Sequence, residues 1–140
     1  MSGGLDSLGA VAATAASGMR AQGDRLRVTA ENMANADTRG TTPGADPYAR
    51  KLVSFEEMID RGSGGALVRM SDPRRDTTPF ALDYDPSHPA ANEEGYVKVS
   101  NVDPILEMAN MREASRGYEA NMNMFETARR MRDQMLDLLR

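Results

Sequence analysis

Between Leu5 and Asn35, a seam of apolar residues interrupted by two polar ones recurs at alternating steps of three and four: Leu5, Leu8, Ala12, Ala15, Met19, Gln22, Leu26, Thr29 and Met33. That spacing keeps one face of an α-helix turned toward a partner helix, as in the heptad seam of a coiled coil. Such a helix would run roughly 45 Å. Its seam is thin. Ala12 and Ala15 bury little, Gln22 and Thr29 are polar, and Gly18 and Gly23 each cost about 1 kcal/mol relative to alanine in a helix interior. Small residues do let another backbone approach closely.

The helical pattern returns from Val102 to Leu139. Asp103-Pro104 is a plausible start, since proline in the first turn loses no hydrogen bond, with Ser100 and Asn101 as competing caps. The expected seam runs through Met108, Met111, Ser115, Tyr118, Met122 and Phe125, then drifts through Ala128, Met131, Met135 and Leu138. Drift is what a repeat nearer 3.6 than 3.5 produces.

Six prolines, Pro43, Pro47, Pro73, Pro79, Pro86 and Pro89, exclude a long helix from the middle of the chain. Four runs have strand character: Tyr48 to Phe55, Ala66 to Ser71, Phe80 to Tyr84, and Tyr96 to Val99. Gly62-Ser63-Gly64-Gly65 reads as a flexible turn between the first two. The expected fold is therefore mainly α with a small β-rich middle. Residues 1–35 and 102–140 form a terminal-helix coiled-coil domain, and 36–101 a β-rich, loop-rich insert.

Composition sharpens this picture. Leu, Ile, Val and Phe number 22 of 140, below the fifth (about 20%) that supports a self-sufficient core. Long, weakly apolar helices at both ends then reach full burial only among copies or relatives of themselves. A net charge of −4 speaks against a general nucleic-acid binder. With no cysteine, neither a disulfide framework nor a cysteine zinc site is available. The apolar stretch Leu5 to Met19 has no basic segment ahead of it, so a cleaved secretion signal is not expected.

Particular residues carry a resemblance. Glu31-Asn32-Met33-Ala34-Asn35-Ala36-Asp37-Thr38 resembles the asparagine motif that closes the first helix of flagellar axial rod and hook proteins. Pro47-Tyr48-Ala49-Arg50-Lys51 and Phe55 follow. The most specific stretch is Tyr84-Asp85-Pro86-Ser87-His88-Pro89-Ala90-Ala91-Asn92-Glu93-Glu94-Gly95-Tyr96-Val97. After it come Asn101-Val102, Glu107-Met108, Met111, Ala114-Ser115-Arg116 and Tyr118-Glu119-Ala120-Asn121. In this order, over nearly the whole chain, they resemble proximal-rod components of that family. Two residues depart from its pattern: Arg112, where an aliphatic residue is usual, and Gly117, which weakens the helix beside Tyr118.

The resemblance implies a structural, non-enzymatic subunit of the flagellar basal body. Such proteins leave the cytoplasm unfolded through the flagellar type III export apparatus, without a cleaved signal peptide. In the periplasm they polymerise with copies of themselves and other rod proteins into a helical tube that transmits motor torque to the hook. No nucleic acid, small-molecule substrate, cofactor or metal is implied. The expected subunit interface comprises Leu5, Leu8, Met19, Leu26, Asn32, Met33 and Asn35 in the first helix. In the second it comprises Met108, Met111, Tyr118, Asn121, Met122 and Phe125.

Sharper chemistry is weakly supported. His88 is the only histidine, with Asp83, Asp85, Glu93 and Glu94 nearby, but one imidazole on a proline-rich loop lacks the convergent groups of a catalytic or metal site. The glycines at 62–65 lack the Lys-Ser/Thr of a phosphate-binding loop. A small hydrolase using Asp83 to Glu94 and a cytoplasmic coiled-coil adaptor or chaperone are the alternatives.

Overall fold

A computed structural model describes residues 2–140. Two helices bracket six short strands: α1 (Ser2–Ala34), β1 (Lys51–Leu52), β2 (Phe55–Ile59), β3 (Ala66–Met70), β4 (Arg74–Arg75), β5 (Ala81–Tyr84), β6 (Tyr96–Val99) and α2 (Pro104–Leu138). The strands form three antiparallel pairs, β1 with β4, β2 with β3 and β5 with β6. The run expected as one strand from Tyr48 to Phe55 is instead two. Lys51–Leu52 pairs with Arg74–Arg75, and a separate strand starts at Phe55 to pair with Ala66–Met70.

The chain divides into two compact units. The first gathers Met1–Leu26, Ser54–Ser71 and Arg112–Arg140; the second gathers Arg27–Val53 and Asp72–Met111. Each takes a part of both helices and a part of the middle.

In the first unit, small residues make the helix contact. Ala15, Ala21, Ala114 and Ala128 are buried. A methyl group on Gly18 would lie 2.5 Å from Asn121 Oδ1, and one on Gly117 would lie 2.7 Å from Gln22 Nε2. The same approach pairs Gly4 with Met135, and Arg25 with Glu113 at 3.1 Å. Partners thus descend along α2 as they ascend along α1, so the helices are antiparallel. Gly117, whatever it costs α2 in helix propensity, makes room for Gln22. Of the expected α2 seam, Ala128 is buried and Met111, Phe125 and Met135 are half-buried, but in its middle the contact shifts by one residue: Ala114 and Asn121 face α1, while Tyr118 and Met122 are exposed.

The β2–β3 hairpin belongs to this unit. Asp60 builds its turn, accepting from the Gly64 N–H through its carbonyl at 2.8 Å and from the Gly62 N–H through its carboxylate at 3.1 Å. Gly64 has φ +69 there, a conformation that favours glycine. Hydroxyls of α1 take up the free edge of β3. Thr14 donates to the Ala66 carbonyl at 2.7 Å, and Ser17 accepts from the Val68 N–H at 3.0 Å.

In the second unit, Val28, Ala36, Ala90, Val97 and Val102 are buried beside Thr29, Asn32, Ser100 and Glu107. Its core is nearly as polar as it is apolar. Of the three expected caps, Asp103 serves α2, its carboxylate accepting from the Ile105 and Leu106 N–H groups at 2.9 and 3.4 Å.

Candidate functional site

A network of polar groups, centred on the buried Asn32 and Glu107, organises the second unit. Asn32, in the last turns of α1, uses its whole amide. Oδ1 accepts from the Lys51 N–H at 2.9 Å and from the Tyr48 hydroxyl at 2.7 Å. Nδ2 donates to the Lys51 carbonyl at 2.9 Å and to Glu107 Oε2 at 3.3 Å. Glu107, only 1% exposed in the first turn of α2, also binds the Arg50 guanidinium. Arg50 reaches Asp76 at 3.4 Å, and its backbone N–H donates to Asn101 Oδ1 at 2.7 Å. Asn101 then donates to the Thr78 carbonyl at 2.9 Å.

The electrostatics follow. Burial and the nearby carboxylates of Glu31 and Glu107 push the Tyr48 phenol up to about 12, so it stays a donor. Burial opposes the Arg50 charge, but hydrogen bonds to Glu107 and Asp76 outweigh it and raise its pKa. Hydrogen bonds from Thr78, aided by Arg50, hold the Asp76 carboxyl below the usual range. A buried charge pair of this kind costs desolvation on both sides and is tolerated when every remaining valence is bonded. What the network does is hold the segment 48–51 and the loop at 76–78 against both helix ends.

The residues that the sequence comparison with axial proteins singled out meet here: Asn32, Tyr48, Arg50, Asn101 and Glu107. Sequence reading placed Asn32 at an interface. Within the chain its amide is taken up by Lys51, Tyr48 and Glu107, a partnership with Glu107, and through it with Arg50 and Asp76, that the sequence reading does not include. A lone Glu in an apolar helix start, level with an Asn and an Arg elsewhere, is the signal that was there to find.

The loop between β5 and β6 is held by its own side chains and by Arg39. Ser87 donates to Asp85 at 2.7 Å, the Ala90 N–H donates to His88 Nδ1 at 3.0 Å, and Arg39 bridges Asp83 at 2.6 Å and Asp85 at 3.7 Å. The Ser87 hydroxyl first, then its N–H, His88 and Arg39, keep the Asp85 carboxyl below its ordinary range. His88 is thus spent on a turn. Among the described residues no three His, Cys, Asp or Glu groups are placed to hold a metal ion.

A second surface lies on the helices of the first unit. Tyr118 and Met122 stand exposed on one side of the α2 seam, Met124, Met131 and Leu138 on the other. Grooves run along both sides. One is lined by Ala16, Met19, Arg20, Gly23, Asp24 and Tyr118, the other by Ala10, Val11, Thr14, Ala15, Gly65, Asn121 and Met124. Of the other expected interface residues here, Leu5, Leu8, Leu26 and Phe125 are half-buried, and Asn121 bonds the Gly117 carbonyl. In the second unit Met33, Asn35 and Met111 are half-buried, whereas Met108 is exposed with Ile105 and Leu106.

Known proteins carry the same arrangement of sequence. Residues 13–41 match the family described as flagella basal body rod protein, and residues 93–138 match the flagellar basal body rod FlgEFG protein C-terminal family. A flagellar basal-body rod protein FlgC of Agrobacterium fabrum is 43% identical over 97% of this chain and 98% of its own length. That of Escherichia coli O6:H1 is 40% identical over 89% of this chain and 92% of its own. That of Bacillus subtilis is 36% identical over 88% and 92%. Relatives this similar over nearly their full lengths decide the matter: the chain belongs to the FlgC family of flagellar basal-body rod proteins, and it is a structural subunit of the basal-body rod, not an enzyme.

Proposed function

We infer that this subunit polymerises in the proximal rod, through the apolar surfaces that its own helix pair leaves open. The observation that carries this reading is the exposure of Tyr118, Met122, Met124 and Met131 on both sides of a seam already filled by small residues. A helix that hides only the middle of its apolar arc is incomplete as a monomer. Copies of the chain and other rod proteins would seat side chains in the two grooves. A heterologous contact repeated without closure yields a helical tube.

On this reading, residues 1–35 and 102–140 form the inner wall, and 36–101 is the insert outside it. Leu5, Leu8, Met19, Leu26, Met33, Met108, Met111 and Phe125 contribute to the interface beside the four exposed residues. Asn32, Asn35 and Asn121 act within the chain, fixing the geometry of those surfaces. The tube would stand in the periplasm and pass torque to the hook, after export by the flagellar type III apparatus with no cleaved signal. Thin helical seams suit that route, since ordering can wait for assembly.

Nothing favours the adaptor or hydrolase alternatives. The test is an image of isolated basal bodies at side-chain resolution. Tyr118 and Met131 should be covered by neighbouring subunits in the rod. Finding both facing water would refute the reading.

A further inference from the structure

The chain has eleven methionines, no cysteine and no tryptophan. Thioethers are therefore its readily oxidised side chains. Their distribution is uneven. Met108, Met122, Met124 and Met131, all on α2, are 38% to 54% exposed, whereas Met111 and Met135 on the same helix are half-buried. Met58, on β2, is the other exposed one among the described residues. Apart from Met58, the accessible thioethers among the described residues thus lie on the helix through which the chain is read to assemble.

We propose that these four α2 methionines are an oxidative modification site, at which a hydroperoxide disarms the free subunit before assembly. The sulfur lone pair attacks one peroxide oxygen and the O–O bond breaks. Sulfur becomes a sulfoxide by giving up the proton of its new hydroxyl, and the second oxygen takes that proton and leaves as an alcohol, or as water where the oxidant is hydrogen peroxide. Thioether loses two electrons and peroxide gains them. The product carries a strong, hydrated acceptor in place of an apolar thioether and must shed its water to be buried against a neighbour, so burial is opposed. Methionine sulfoxide reductases reverse the change. The inference rests on the assembly reading above.

The test begins with the purified full-length chain, treated with hydrogen peroxide and mapped by peptide mass spectrometry. The four should oxidise about threefold or more faster than Met111 and Met135. Equal rates would overturn the modification while leaving the assembly reading intact. Next, cells lacking the native protein express chains with all four positions changed to Leu or all four to Gln, and completed rods are counted. Leucine should support rods, whereas glutamine, a polar stand-in for the sulfoxide, should give about tenfold fewer. Equal, normal counts would defeat both the modification and the assembly reading at these α2 positions. If neither chain forms rods, Met124→Leu and Met124→Gln alone decide by the same comparison. Equal counts from that pair overturn the proposal.

Discussion

Asn32 and Lys51 are joined as residues of neighbouring strands are, although one of them offers a side chain: the Asn32 amide donates to the Lys51 carbonyl and accepts from the Lys51 N–H, both at 2.9 Å. A helix end is thereby given a β-like edge to which the middle of the chain binds. The same amide touches Glu107 and Tyr48, so four contacts hang on one residue.

Replacing it should be costly. Asn32→Ala leaves the Lys51 backbone groups and the Tyr48 hydroxyl without their partner, a loss of about 2–4 kcal/mol. Asn32→Asp should be worse at neutral pH, because it removes both donors and sets a second carboxylate where Nδ2 now lies 3.3 Å from Glu107. Hydrogen exchange at the Lys51 amide, with and without each change, measures this directly. Unchanged protection would show that the amide pairing is incidental.

Two glycines of α1 that look alike in sequence should respond in opposite directions. A methyl on Gly23 meets nothing within 4 Å, so Gly23→Ala should stabilise the free chain by about 1 kcal/mol through helix propensity alone. At Gly18 the methyl would displace Asn121, whose Nδ2 donates to the Gly117 carbonyl at 2.7 Å. Overpacking there should destabilise by about 1–3 kcal/mol. Thermal melts of the two variants settle the point, and a shift of the same sign in both would contradict the close approach.

The polar network also fixes the pH response. Asp76 has a depressed pKa in the folded chain, so its stabilisation is complete above the ordinary value of 3.8 and disappears as pH falls through the lower, folded value. Tyr48 works from the other side. Its folded pKa of about 12 exceeds the ordinary 10.0, so its contribution is complete below pH 10 and is lost as pH rises toward 12. Ultraviolet titration should therefore show one of the four tyrosines ionising late. That lag should vanish in Tyr48→Phe.

Much of this fold is legible in sequence. Prolines bounded the middle, Asp103-Pro104 marked the start of α2, and the glycines at 62–65 marked the β2–β3 turn. What misled was the middle of the α2 seam, where Tyr118 and Met122 lie beside the small or polar residues that pack. Following Met108, Tyr118 and Met122 placed the α2 contact one residue from Glu107, Gly117 and Asn121, which face inward. A contact made of small residues gives little hydrophobic signal. The polar network was hidden for another reason: its members are far apart in sequence, and only folding brings Asn32, Arg50 and Glu107 together.

That offset gives the sharpest separation between folding and assembly. Phe125 is half-buried within the chain, whereas Met122 is 38% exposed. Met122→Asp should leave the free subunit within about 0.5 kcal/mol of the parent, since its carboxylate can remain in water. Phe125→Asp removes buried apolar surface and should cost about 2–4 kcal/mol before any neighbour is met. In cells lacking the native protein, both variants should still be exported, because a threaded chain does not use packed surfaces. Neither should complete a rod. The diagnostic case is therefore Met122→Asp: a stable, secreted subunit without rods or swimming places the defect in the contact between subunits. Normal swimming with Met122→Asp would mean that this side of α2 faces water in the rod, and that the neighbour packs elsewhere.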